Sequence, residues 1–314
     1  MFYWNGCDVT FSDVTPTFCE PHPGKTTTIG QFRSAIERSL DLFGNNSADL
    51  SVVYFESIDD LGHRYGPDSV HVKGMVKQVD RVIETMLREI ETRHLDDDIN
   101  VMVLSDHGMT DVSLSKVVNI SDVINMDNIE VIINNYGSSV YIWPKNGKEQ
   151  TVYASLENTS AYFKTFLRKD IPPQWHFQHN NRIPDILLVA QLGWYIDTPS
   201  FGFYYYDNTG AMRGEHGFDV TESDMAGLFV AMGPDFRTNV KVDKLNNVNL
   251  YQVMCGIIGV GPRPHNGSWS DVVNLVADIS TSTAAALSSS SSSTTTTTTV
   301  VLVYILCTMN NSCF

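Results

Sequence analysis

Tyr54-Phe-Glu-Ser-Ile-Asp59-Asp-Leu-Gly-His63 and Leu104-Ser-Asp106-His107-Gly108 are two places where an apolar run ends abruptly in an Asp/His group. The runs that lead into them, Leu50 to Phe55 and Asn100 to Leu104, are short, rich in Val, Leu and aromatics and bounded by turn residues. That pattern reads as strands covered on both faces, and in sheets of such strands ligands collect beyond the carboxyl ends. Carboxylate and imidazole are the donors that zinc takes from a protein, and Gly214-Glu-His216-Gly217 offers a third such point.

Working outward, helices alternate with these strands. From Asp68 to Arg93, Val72, Met75, Val76, Val79, Val82, Ile83, Met86, Leu87 and Ile90 recur at steps of three and four, the spacing of one apolar helical face. Gln31 to Phe43 shows the same rhythm with Phe32, Ala35, Ile36, Leu40 and Phe43. Ser138 to Trp143, Asp185 to Ala190 and Met225 to Met232 read as further strands. The expected class is α/β, with a largely parallel sheet and helices on both faces.

Composition bounds what such a fold does. The chain has 314 residues, 42% hydrophobic, enough for one large core or two modest ones. Thirty-six acidic residues against 21 basic give a net charge of −15, which repels nucleic acid backbones, so duplex binding is not expected. Of five cysteines, Cys7 with Cys19, or Cys307 with Cys313, could bridge in an oxidising compartment, and no C-x-x-C pair suggests a thiolate site. Sequons at Asn45, Asn119, Asn158, Asn266 and Asn310 suit an extracellular glycoprotein, whereas the first residues carry no signal-peptide pattern.

Complexity changes sharply near residue 278. Residues 1–278 read as the catalytic domain and 279–299 as a Ser/Thr-rich linker or stalk, since sixteen of the twenty positions from Ser280 to Thr299 are Ser or Thr. Residues 300–314 read as a short apolar tail: Val300 to Cys307 is apolar for eight residues, where a spanning helix needs roughly 20. The expectation there is a cut-short membrane or lipid-anchor signal, or a sticky disordered end.

Asp59 and His63, four apart, share one face of a helical turn, and Gly62 lets the chain approach that face closely. Asp106 and His107 sit where a buried strand surfaces. Together with His216 these groups are enough to begin two zinc sites that clamp a phosphoryl oxygen.

At this point the sequence resembles a known family. Tyr54-x-Glu56-x-x-Asp59-x-x-Gly62-His63-x-x-Gly66-Pro67, Ser105-Asp106-His107-Gly108-Met109 and Gly214-x-His216-Gly217-Phe218-Asp219 resemble, in order and spacing, signatures of the ecto-nucleotide pyrophosphatase/phosphodiesterases of the alkaline phosphatase superfamily. Trp4-x-Gly6-x-Asp8-Val9, Met232-Gly-Pro234-x-Phe236 and Asn266-Gly-Ser look like further family segments. The resemblance implies an alkaline-phosphatase-like fold and hydrolysis of nucleotides or dinucleotides to a nucleoside monophosphate. It also implies one zinc held by Asp59, His63 and His216, another by Asp106 and His107, and a pocket lined by Tyr54, Trp4 and Asp8.

There are departures. The family's Glu-Glu-Pro-Asp stands here as Glu56-Ser57-Ile58-Asp59, and its Trp-Pro-Gly-Ser-Asp as Trp4-Asn5-Gly6-Cys7-Asp8. The resemblance further implies an upstream strand with a zinc-binding aspartate, followed by a Thr nucleophile, and no Thr in residues 9 to 28 has that context. The expectation is therefore a chain incomplete at its amino terminus, lacking its first strand or strands and its catalytic Thr, with an open sheet edge and one incomplete zinc site. A non-catalytic extracellular module that keeps its zinc, and a choline or lysophospholipid phosphodiesterase, are the alternative readings. A sulfatase is disfavoured because no Cys-x-Pro-x-Arg run is present.

Overall fold

The computed structural model describes residues 1–4, 6–10, 12–157, 159, 161–199, 212–277 and 299–305. In chain order its elements are α1 (Ile29–Gly44), β1 (Leu50–Phe55), α2 (Ser57–Tyr65), α3 (Val70–Thr92), β2 (Ile99–Leu104), β3 (Thr110–Asp111), β4 (Val117–Asn119), β5 (Ile129–Asn135) and β6 (Ser139–Pro144). There follow α4 (Glu149–Glu157), β7 (Phe163–Leu167), β8 (Ile186–Ala190), β9 (Tyr195–Asp197), β10 (Gly214–Glu215), β11 (Phe229–Met232), α5 (Leu250–Ile257) and β12 (Thr299–Ile305). They fall into two compact units, one of Met1–Ile58, Gly74–Asp106 and Leu228–Leu306, the other of Asp59–Lys73 and His107–Gly227.

The first unit is built on a four-stranded sheet in the order β1-β12-β2-β11. β12 runs parallel to both β1 and β2, and β11 runs antiparallel to β2. Every residue of β2 is buried, as its apolar run requires, and its one polar side chain, Asn100, donates to Asp235 Oδ2 at 2.7 Å. α1 begins with a reciprocal capping box between Thr28 and Gln31 and buries Phe32, Ala35, Ile36, Leu40 and Phe43, the face that its periodicity marks. Phe32 meets Phe55 of β1 with ring centroids 4.7 Å apart. Each such fully buried side chain contributes about 1.5–3 kcal/mol. Cys7 and Cys19 are disulfide-bonded in this unit, one of the pairings the spacing leaves open, and Cys255 is a buried free thiol.

Within the stretch read as a short apolar tail, 300–314, the described residues continue from Thr299 to Ile305 as β12. Its main chain occupies an interior place, with Val300 opposite Leu50 and Asn100, and Val303 opposite Val53 and Val103. A run of Val, Leu, Tyr and Ile too short to cross a membrane is the length of a strand that is paired on both edges. The outer edge of β1 is met by Phe2, which exchanges main-chain hydrogen bonds with Val52 and Tyr54. The Ser/Thr-rich stretch, apart from Thr299, lies outside the described residues, as do Cys307, Cys313, Asn158 and Asn310. Among the described residues no helix is long and apolar enough to cross a membrane.

The second unit carries an antiparallel sheet, β5-β6-β8-β7, and two small ribbons, β4-β9 and β10-β3. Ser138–Trp143 and Asp185–Ala190 are strands as expected, but their partners run antiparallel, so the parallel portion is narrower than the sequence suggests. The reason lies in the connections: β6 and β8 are separated by α4 and by β7, and β7 returns alongside β8 rather than crossing over to a parallel place. The core of this unit gathers Val140, Ile142, Leu156, Phe163, Ile186, Leu188, Ile196 and Phe218.

Candidate metal centre

Asp59 opens α2 and His63 lies in its last turn, placing a carboxylate where the helix dipole favours it and both side chains on one face. His63 Nε2 lies 3.4 Å from Asp59 Oδ2. The third residue arrives from far along the chain. β10 pairs with β3, setting Gly214 opposite Asp111 and Glu215 opposite Thr110, so that His216 is carried to the segment that follows His107. Gly214 is essential to this approach, because a β-carbon there would strike the carbonyl of Gly62 and the sulfur of Met109. Gly217 then turns the chain with φ +86°, and Phe218 plunges into the core.

The outcome is a compact group in which ligand atoms of Asp59, His63 and His216 all lie within 4.8 Å of one another. His216 Nε2 is 3.6 Å from Asp59 Oδ1. His107 stacks on His216 with ring centroids 3.6 Å apart. Tautomers follow from the partners: a carbonyl only accepts, so His63 Nδ1 donates to Gly214 O at 2.9 Å and His107 Nδ1 donates to Gly108 O at 2.8 Å. In His63 the other ring nitrogen, Nε2, is thereby turned toward Asp59.

The electrostatics are those of a cation site. Burial opposes charge on His63, but Asp59, aided by Glu215 and the Gly214 carbonyl, outweighs it and pushes the imidazole up to about 9. Burial would raise the Asp59 carboxyl, yet its contact with His63 dominates and holds it below the usual carboxylate range. Burial, reinforced by His107, pushes His216 down to about 3, leaving it neutral and able to donate a lone pair. Burial likewise pushes the Glu215 carboxyl up to about 7. Asp59 Oδ1 is buried and makes no hydrogen bond. An oxygen left this way costs about 1–3 kcal/mol, a cost that a bound cation removes. The residues present thus fit a divalent ion.

Asp106 is exposed at the end of β2, in the first unit, and is not part of this three-residue group. Tyr54, Trp4 and Asp8 also belong to the first unit. Tyr54 is half-buried and edge-on to Trp4, centroids 5.9 Å apart, while Trp4 also packs against the core. Asp8 is exposed beside the disulfide.

Two features escape the sequence reading. Glu56 accepts hydrogen bonds from the main chain and hydroxyl of Thr27 at 2.7 and 2.9 Å and lies 3.0 Å from His22 Nε2, and this tie holds His22 edge-on to Tyr54. Glu215, one of thirty-six acidic residues, is the other; only its place inside Gly214-Glu-His216-Gly217 distinguishes it in the sequence.

Residues 1–219 match the family described as Type I phosphodiesterase / nucleotide pyrophosphatase. The chain belongs to that family, whose members are hydrolases. It is 32% identical over 276 residues to a Xenopus laevis protein named bis(5'-adenosyl)-triphosphatase, covering 88% of this chain and 58% of that one. It is 31% identical to the Rattus norvegicus ectonucleotide pyrophosphatase/phosphodiesterase family member 7, covering 85% of this chain and 60% of the relative. The chain therefore spans somewhat over half the length of these curated relatives. The structure superposes on murine ectonucleotide pyrophosphatase/phosphodiesterase 5, an inactive variant in complex with AMP, with a TM-score of 0.75 and 29% identity over 88% of this chain and 71% of that one. The α/β class and the alkaline-phosphatase-like fold are those of this family.

Proposed function

We propose that this chain carries the zinc site and nucleotide pocket of a phosphodiesterase that cleaves phosphodiester or pyrophosphate bonds in nucleotides or dinucleotides, releasing a nucleoside monophosphate. The observation that carries the reading is the meeting of Asp59, His63 and His216 around one point, with a buried Asp59 oxygen turned to no hydrogen-bond donor. Asp59, His63 and His216 hold one zinc. Asp106 and His107 belong to a second. Zinc of this kind supplies charge stabilisation for a phosphoryl oxygen and lowers the pKa of a bound hydroxyl.

The chain's own side chains do the rest. Asp59 supplies negative charge that attracts and partly neutralises the ion, and the stack of His107 on His216 limits the freedom of both rings. Tyr54 and Trp4 present aromatic faces and edges on which a base stacks, with Glu56 and Thr27 holding His22 beside them. Asp8 accepts polar contacts from the substrate. The nucleophile is assigned to none of these residues. Support for the nucleotide substrate comes from relatives, one named a bis(5'-adenosyl)-triphosphatase and one seen with AMP. An extracellular setting is supported by the Cys7–Cys19 bond and by the exposed sequons at Asn45, Asn119 and Asn266.

The experiment is a zinc titration followed by binding of AMP and turnover of p-nitrophenyl thymidine monophosphate. Stoichiometric zinc binding that is lost in His216→Ala, with AMP binding to the zinc-loaded chain, is the expected result. A chain that takes up no zinc at this group overturns the reading.

A further inference from the structure

Glu215 is buried more completely than any of the three proposed ligands, with its side chain 2% exposed, and it touches two of them. Its Oε1 accepts the main-chain N–H of His216 at 2.9 Å. Its Oε2 makes no hydrogen bond and lies 3.8 Å from His63 Nδ1, on the opposite side of the ring from Asp59. That is beyond hydrogen-bond distance, so Oε2 acts on the imidazole through charge while the neighbouring Gly214 carbonyl, at 2.9 Å, takes the proton contact. Two consecutive residues of β10 therefore hold His63 from behind and aim its Nε2 at Asp59.

We propose that Glu215 is a positioning residue for the metal centre, setting both His63 and His216 and supplying the second negative charge that a divalent ion in this pocket needs. The inference rests on the metal site proposed above. Asp59 is the single carboxylate of the three-residue group, so a dication held there by two neutral imidazoles keeps one uncompensated positive charge in a buried place. A carboxylate buried without a cation nearby is costly, and a net charge left on a buried ion is costly too. Placing Glu215 beside both rings, Oε2 3.8 Å from His63 Nδ1 and Oε1 4.0 Å from His216 Nε2, removes both costs at once, and a carboxylate behind a ligating imidazole such as His63 also makes it a better donor. Directly after Gly214 in the two-residue strand, this one side chain reaches both histidines, the His216 main chain by a hydrogen bond and His63 by charge.

The test is zinc affinity, measured by competition with a chromophoric chelator, on the intact chain. Glu215→Gln keeps an acceptor for the His216 N–H and removes only the charge. It is expected to bind zinc 10–100-fold more weakly, with the metal-free melting temperature unchanged or raised. Zinc affinity within about twofold of the parent chain overturns the proposal. If Glu215→Gln does not fold, the comparison moves to Glu215→Asp against Glu215→Asn, which share a length and differ in charge. Tighter zinc binding by the Asp variant supports the role, and equal binding by the two overturns it. The metal site itself is judged separately by the parent chain against His216→Ala: equal zinc affinity for those two defeats the site, whereas a large difference between them alongside an unaffected Glu215→Gln defeats only the role of Glu215.

Discussion

His107 lies flat against His216, with ring centroids 3.6 Å apart and planes 17° from parallel. Burial, with His107 packed against the ring, holds His216 in the neutral form that ligates metal. The stack also joins the second sequence motif to the third, through the β3–β10 ribbon that brings Thr110 opposite Glu215.

Replacing His216 with alanine removes a ligand and the partner of that stack. Zinc at a hundredfold excess over its Kd raises the parent chain's stability by about 2.7 kcal/mol, and in His216→Ala that increment disappears while the metal-free stability changes little. Thermal unfolding with and without zinc measures both quantities.

Metal uptake should be coupled to proton release. In the metal-free chain His63 is pushed up to about 9, so at neutral pH it carries a proton on Nε2, where the ion must bind. Above about pH 7, where Glu215 is already ionised, zinc affinity then rises about tenfold per pH unit until pH approaches 9. Calorimetry in buffers of different ionisation enthalpy reads the released proton, and a pH-independent affinity would contradict the assignment. The metal-free fold responds with the opposite sign. Since the folded value exceeds the reference 6.5, the His63–Asp59 contribution is complete below pH 6.5 for as long as Asp59 stays ionised, and is lost as pH rises through about 9.

Reducing Cys7–Cys19 frees a loop with a sequence separation of 12 residues. Loop-closure entropy for such a span is roughly 3 kcal/mol, so urea midpoints should fall markedly on reduction, or in Cys7→Ser with Cys19→Ser.

Val303→Pro deletes a main-chain donor from a strand paired on both edges, opposite Val53 and Val103. The cost is about 3 kcal/mol or more, and the strand edges it exposes invite association. Urea denaturation and light scattering report the two effects. A variant as stable and as monodisperse as the parent would show that β12 is not an interior strand in solution.

Gly217→Ala forces a side chain into φ +86° with its β-carbon 2.7 Å from Ser138 Oγ. A loss of about 1–2 kcal/mol in stability is expected. Weaker zinc binding should accompany it, because the turn orients His216, and chelator competition measures that loss.

Local chemistry made much of this protein legible before any fold was in hand. The helical spacing in Gln31–Phe43 and Asp68–Arg93 appears as α1 and α3, and the apolar runs Leu50–Phe55 and Asn100–Leu104 appear as β1 and β2, because periodicity and burial are properties of neighbouring residues. The Asp59/His63 pair and His216 stand out in the same local way, and their motifs carry the family resemblance. Partnership over long distances was another matter. Whether β6 and β8 pair antiparallel, whether Val300–Ile305 forms an interior strand or an anchor, and whether Glu215 faces solvent or the back of His63 depend on which remote segment lies alongside. A single acidic letter, or an eight-residue apolar run, has the same local propensity in every such environment. Tertiary packing alone chose among them, since burial against a particular neighbour is what turns a carboxylate from a solvated surface group into one whose charge acts on an imidazole 3.8 Å away.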